Sequence, residues 1–256
     1  MGLIHLIGGE KGGVGKSFFS MSLLHFLSIS SVPYVLVDAD PNNPDVVAIY
    51  DGIKGINFKV EDDETALMSR SMAEVDRIYD LAKDQLVVVN LPANVQKPLT
   101  YWIELNGLLH PTLIQKTGVS LVHWFLSNGS YNSVSLFLES VNHFNGQLRH
   151  VFVRNYGLCT DWSGLEKRAE FKEAADKYKF PDLVFPGLKA MERDYLEANR
   201  IPFAQALEDS LMPVLSQQRL IKFLRQTMEN IVLSELFDHY VNAEDFLGAE
   251  SQKNSA

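Results

Sequence analysis

The sequence predicts an α/β fold with a mostly parallel sheet and helices on both faces. Apolar runs of three to six residues recur at 3–7, 34–37, 86–89, 121–126, 150–153 and 183–185. Amphipathic stretches separate them, near 17–30, 72–83, 98–109, 131–144, 165–178 and 188–198, and a longer one follows at 214–240. Runs rich in β-branched and aromatic residues read as strands buried on both faces, and strand–helix–strand alternation at this spacing gives parallel pairing. The last long helix is expected to pack on the outside.

Composition bounds the reading. The chain has 256 residues, 46% of them hydrophobic and 21% charged, which suits a globular protein able to bury a large core. Residues 1–241 are read as one domain and 242–256 as an acidic and polar tail. The lone Cys159 cannot form an internal disulfide, and no apolar run is long enough to span a bilayer, so a soluble, cytoplasmic chain is expected. A net charge of −9 repels nucleic acid, so any DNA contact needs a local basic patch.

The first strand run leads into Gly8, Gly9, Glu10, Lys11, Gly12, Gly13, Val14, Gly15, Lys16 and Ser17, and a helix follows. Glycines bring backbone N–H groups against phosphate oxygens without Cβ clashes, and a helix N-terminus adds a positive dipole. In such a loop residues Gly12, Gly13, Val14 and Gly15 cradle the phosphates, Lys16 pairs with the β- and γ-phosphates and the Ser17 hydroxyl holds Mg²⁺. The spacing departs from the general phosphate-loop pattern at one place, where Glu10 replaces a glycine.

The run from Lys11 to Ser17 resembles the deviant Walker A motif of the ParA/MinD family of P-loop ATPases, whose members position plasmids, chromosomes and division sites. The resemblance covers about 2–50, 86–94 and 150–210. It implies ATP and Mg²⁺ as cofactors, a homodimer formed on ATP binding, and a partner protein that stimulates hydrolysis. Lys11 would then reach the partner's nucleotide across the dimer.

The second strand run ends in Asp38-Ala39-Asp40-Pro41. Carboxylates two positions apart on an extended chain point to one side, so both could face a single phosphate and metal site, although an Asp-Pro turn has the same sequence. The resemblance sets Asp38 near the metal and gives Asp40 the task of orienting the attacking water. In the third run the family's usual aspartate is Asn90, counted here with Ser17 and Asp38 among the metal-site candidates. An amide carries no charge and takes no proton, so slow turnover is expected, with Asn90→Asp restoring it. Asn155, after the fifth run, matches the family's adenine-contacting asparagine, and Pro186 matches a proline bordering the base. Both are also ordinary strand-end residues.

Other features carry less. The seven histidines lack metal-ligand spacing and read as structural. Arg219, Lys222 and Arg225 recur every three residues with no acid between Asp209 and Glu229, a candidate stripe for non-specific DNA or simply a solvated face. The acidic, polar C-terminal end argues against a membrane-anchoring helix. No motif is assigned to 98–120. The expected function is therefore an ATP-driven dimerisation switch of the plasmid-partition or conjugative-transfer kind. The alternatives are an adaptor that holds ATP with little hydrolysis, and a metabolic P-loop enzyme, for which one cysteine is too few to bridge an iron–sulfur cluster.

Overall fold

The computed structural model describes residues 2–9, 11–58 and 66–238. Its strands are β1 (Gly2–Gly8), β2 (Tyr34–Asp38), β3 (Ile53–Lys54), β4 (Leu86–Asn90), β5 (Val119–Ser127), β6 (Arg149–Asn155) and β7 (Asp182–Phe185). They form one sheet in the order β3-β2-β4-β1-β5-β6-β7, and every pairing is parallel. The helices are α1 (Lys16–Ile29), α2 (Ala66–Leu81), α3 (Gln96–Leu105), α4 (Pro111–Thr117) and α5 (Tyr131–Phe144), then α6 (Ser163–Glu166), α7 (Ala169–Tyr178), α8 (Ala190–Asn199), α9 (Phe203–Glu208) and α10 (Val214–Leu233).

The period of two along each strand divides the core between two layers. Val88 faces the layer built on α1, α9 and α10, whereas its neighbours Val87 and Val89 face the layer built on α3. Further along the sheet, Phe137 of α5 and Phe171 of α7 pack on Phe152. Being apolar on both faces is what the uninterrupted runs required: all of β4 is buried. Trp124 carries its polar edge into the core, where Nε1 donates to His5 Nδ1 at 2.9 Å, so burial leaves no orphaned indole N–H.

The expected helix at 98–109 is α3, shorter at its end, and the one at 165–178 divides into α6 and α7. The first stops at Leu105, and Pro111 opens α4 behind His110, whose ring nitrogen accepts from Thr112 N. Three elements were not anticipated, β3, α4 and α9, because pieces of two, seven and six residues are too short to show a period. The last helix ends at Leu233, where Ser234 Oγ bonds the Ile231 carbonyl and Glu235 takes a φ of 58°, and not at 240. Glu10, Tyr240 and the tail 242–256 lie outside the described residues. Among the described residues, no helix is long and apolar enough to cross a membrane.

Candidate functional site

The strands running into the site share one polarity, so their carboxyl ends meet along one edge. β1 ends at Gly8, β2 at Asp38, β4 at Asn90, β6 at Asn155 and β7 at Phe185, just before Pro186. Register brings the central ones level, with Asn90 opposite both Asp38 and Ile7. The chain leaves β1 toward β2 on one side and later crosses from β4 to β5 on the other, which opens a crevice beyond β1.

The glycine loop lies in that crevice. Gly13 and Gly15 have φ of 73° and 96°, a region that β-carbons disfavour, and Gly15 immediately precedes α1. A Cβ on Gly12 or Gly13 would meet nothing within 4 Å, so the loop's outer face is open to a ligand. Behind the loop the packing is tight: a Cβ on Gly15 would stand 2.5 Å from Asn155 Nδ2. Lys16 is buried, and its ammonium folds over the loop to the carbonyls of Gly9 at 3.3 Å and Lys11 at 3.2 Å. Ser17 occupies the next position in the first turn of α1, half-buried. Lys11 reaches outward from the loop, its Nζ 3.5 Å from Ser130 Oγ at the N-cap of α5.

The two aspartates do not face one common point. Asp38 is almost fully buried, and its Oδ1 accepts from Asn90 Nδ2 at 3.0 Å and, weakly, from Asp40 N at 3.4 Å. Its Oδ2 accepts from Val46 N at 3.0 Å and Val47 N at 3.2 Å. Burial raises the Asp38 pKa, and these bonds only partly offset it. Asp40, half-exposed, turns onto its own loop, where Oδ1 accepts from the backbone of Asn42 and Asn43. The extended geometry that would have aligned them stops at Asp38, where β2 ends, and Asp40 follows the Asx turn that its sequence also allows.

Asn90 is buried, and both ends of its amide are engaged: Oδ1 accepts from Ser20 Oγ at 3.2 Å while Nδ2 donates to Asp38. Ser20 was not singled out from the sequence, where a serine inside a helix carries no signal. Asn155 is similarly occupied. Its Nδ2 donates to the Val14 carbonyl at 2.9 Å and its Oδ1 accepts from Gly157 N at 2.9 Å, so it braces the back of the glycine loop. The Pro186 turn packs against the same corner, with Gly187 Cα 3.5 Å from a Cβ built on Gly157. The two positions matched to a base pocket are thus adjacent.

The arrangement fits a phosphate chain: open backbone, a helix N-terminus and one buried ammonium. It also fits Mg²⁺ carried in by that ligand, because this cation keeps several waters and needs few protein oxygens. Ser17, in the first turn of α1, would be the residue to supply one. The four donors already on Asp38, and the bond from Ser20 to Asn90, make those two more suited to holding the surroundings than to direct ligation.

The basic stripe differs from expectation. Arg219 donates through Nε and Nη2 to Oε1 of Glu192, a fully buried residue of α8, at 2.8 and 2.6 Å. Burial alone would raise the Glu192 pKa, but the bonds from Arg219 and Ser216 prevail and lower it. An acid distant in sequence has therefore removed one charge from the stripe, while Lys222 is exposed and Arg225 half-exposed. His5, His123 and His150 are buried between or beside strands, and no group of three or more His, Cys, Asp or Glu among the described residues could hold a metal.

No protein-family model matches the chain. It is 25% identical to protein MobD of Acidithiobacillus ferrooxidans over 242 residues, 90% of this chain and 97% of that protein. It is 26% identical to protein TraL of Escherichia coli over 260 residues, 95% of this chain and 99% of that protein. Among solved structures, the cell division protein MinD of Aquifex aeolicus superposes with a TM-score of 0.50 at 15% identity, covering 89% of this chain and 97% of that one. The septum site-determining protein MinD of Pyrococcus horikoshii, complexed with Mg-ADP, gives 0.51 at 14% identity, covering 94% and 98%. The fold is that of MinD-type P-loop proteins, in agreement with the resemblance to the ParA/MinD family carried by residues 11–17.

Proposed function

We propose that this chain binds ATP with Mg²⁺, dimerises in the ATP-bound state, and uses slow hydrolysis to reset a switch that positions a cargo. The carrying observation is the convergence of Lys16, Ser17, Asp38, Asn90 and Asn155 on one edge of the sheet around an open glycine loop. The resemblance of residues 11–17 to the ParA/MinD family favours plasmid DNA or a conjugation complex as cargo.

In this reading the loop N–H groups and the α1 N-terminus hold the phosphates. Lys16 exchanges the carbonyls of Gly9 and Lys11 for the β- and γ-phosphates, a substitution of weak acceptors by charged ones. Ser17 gives its hydroxyl to the metal, which neutralises phosphate charge during transfer. Asp38 and Asn90 frame that position from behind. Asp40 leaves the Asn42 and Asn43 amides to orient water, and Lys11 leaves Ser130 to reach the second protomer's nucleotide. Asn155 and Pro186 border the base, Asn155 chiefly by holding the loop through Val14. A stimulating partner protein and a weak non-specific DNA contact through Lys222 and Arg225 complete the scheme.

A second reading, an ATP-binding adaptor with little hydrolysis, draws on the inward turn of Asp40. Phosphate release measured with and without DNA, beside thermal denaturation in ATP, GTP or buffer, separates the two. The switch requires a melting shift with ATP and measurable turnover; the adaptor requires the shift without turnover. No shift with any nucleotide rejects both.

A further inference from the structure

Ser20 lies three residues beyond Ser17 on α1, one helical turn on and on the same face. Its hydroxyl, with no exposure to solvent, donates to Asn90 Oδ1 at the end of β4. Asn90 Nδ2 donates to Asp38 Oδ1 at the end of β2, and Asp38 Oδ2 accepts from the backbone of Val46 and Val47. These buried bonds cross from the helix that carries the glycine loop, through two neighbouring strands, to the far end of the loop containing Asp40. Residues 20, 90 and 38 are distant in sequence, so local chain geometry does not impose the connection.

The polarity of the chain of bonds requires an amide at 90. Its middle member must accept from a hydroxyl on one side and donate to a carboxylate on the other. An amide does both; an ionised aspartate accepts only. The bonds are buried, where an unpaired group is costly, so the elements they join are expected to shift together. Val46 is also buried in the apolar layer that contains α1, with Val47 packed against it, and Asp38 supplies the polar anchor of loop 39–47.

We propose that Ser20 and Asn90 are positioning residues that tie the placement of loop 39–47, and hence of Asp40, to the state of the phosphate loop at the start of α1. The inference rests on the ATPase reading above, in which Asp40 orients water. Ligand at residues 12–17 shifts the first turns of α1; Ser20 carries the shift to Asn90 and Asp38; the amides of Val46 and Val47 follow. Asn90 is thereby the connecting element of the switch, and its lack of charge is a requirement of that task.

Hydrogen–deuterium exchange on the full chain, with and without ATP and Mg²⁺, tests this together with steady-state kinetics. In wild type, ATP is expected to slow exchange at 12–17 and to change exchange at Val46 and Val47 by about fivefold or more. Ser20→Ala is expected to keep the response at 12–17 and a KM within about twofold, to lose the response at Val46 and Val47, and to lower kcat about tenfold. Asn90→Asp, close in shape, removes the donor to Asp38 and sets a second carboxylate against it, and should repeat the loss at Val46 and Val47. Ser22→Ala is the control: that hydroxyl bonds only the Phe18 carbonyl of its own helix, and wild-type behaviour is expected. Wild-type exchange responses in Ser20→Ala and Asn90→Asp overturn the proposal, whatever happens to kcat. No ATP response at 12–17 in wild type overturns the nucleotide reading itself.

Discussion

Asn90 Nδ2 donates to Asp38 Oδ1 at 3.0 Å, with both residues only 1% exposed at the adjoining ends of β4 and β2. The bond converts a departure from the expected motif into a structural requirement: a second carboxylate at 90 would face the first with no donor between them. The expectation that Asn90→Asp restores turnover is revised on this ground.

Asn90→Asp should destabilise the nucleotide-free protein by about 2–3 kcal/mol at pH 8, where like charges meet without a donor. The pair can share a proton, which raises the carboxyl pKa in the folded state above its unfolded value. The penalty therefore grows as pH rises through the folded pKa and fades toward acid pH. The melting-temperature difference from wild type should be larger at pH 8 than at pH 5; an equal difference at both would refute the carboxylate contact.

The buried histidines predict the opposite trend in wild type. Burial, aided by the Arg149 charge, lowers the His5 pKa to about 3; burial lowers that of His150 to about 4 and holds His123 well below its usual value. Folded protein cannot take up these protons, whereas unfolded chain does so below about pH 6.5, at roughly 1.4 kcal/mol per histidine per pH unit. Stability is complete above that pH and falls from there toward acid. In His150→Gln, denaturant titrations between pH 7 and 5 should give a shallower slope; an unchanged slope would place that histidine's titration outside folding.

Arg219→Ala should cost about 3–5 kcal/mol, because it strands Glu192 without a cation in the core. Lys222→Ala, on the exposed face, should change stability by less than about 0.5 kcal/mol. Urea unfolding of both variants checks this. A DNA-binding loss in Arg219→Ala is informative only where Lys222→Ala shows it too.

Gly15→Ala and Asn155→Ala examine the back of the glycine loop. The first forces a Cβ to within 2.5 Å of Asn155 Nδ2 at a φ of 96° and should abolish the ATP-dependent melting shift. The second leaves the Val14 carbonyl unpaired, should cost about 1–3 kcal/mol, and should weaken ATP through loop disorder. Calorimetry of nucleotide binding beside thermal denaturation reads both; wild-type ATP affinity in both would show the brace to be irrelevant.

The sheet could be read from the sequence because strands such as 86–89 are uninterrupted apolar runs between amphipathic stretches, and the glycine loop could be read because its chemistry is contiguous. What escaped was set by distant contacts. Ser20 gains meaning only when β4 delivers Asn90 to it, and Glu192 lies 27 residues before the Arg219 that it neutralises. The direction of Asp40 escaped for a local reason: two geometries, extension and an Asx turn, suit the same residues, and the end of β2 at Asp38 selects the turn. Lys16 was assigned to phosphates from its spacing, and its buried ammonium over the loop carbonyls is consistent with that use.

The central claim, an ATP-driven dimerisation switch, is tested most directly by sedimentation velocity of wild type and Lys11→Ala with ATP and Mg²⁺, with ADP, and without nucleotide. The Lys11 ammonium lies 3.5 Å from Ser130 Oγ, whereas that of Lys16 rests on the loop carbonyls of Gly9 and Lys11, so the proposed switch gives the two lysines separate tasks. The account predicts a dimer for wild type in ATP alone. It predicts a monomer for Lys11→Ala in every condition, although the variant still shows an ATP-dependent melting shift. A wild-type protein that binds ATP yet sediments as a monomer, or a Lys11→Ala protein that dimerises with ATP as wild type does, would contradict it.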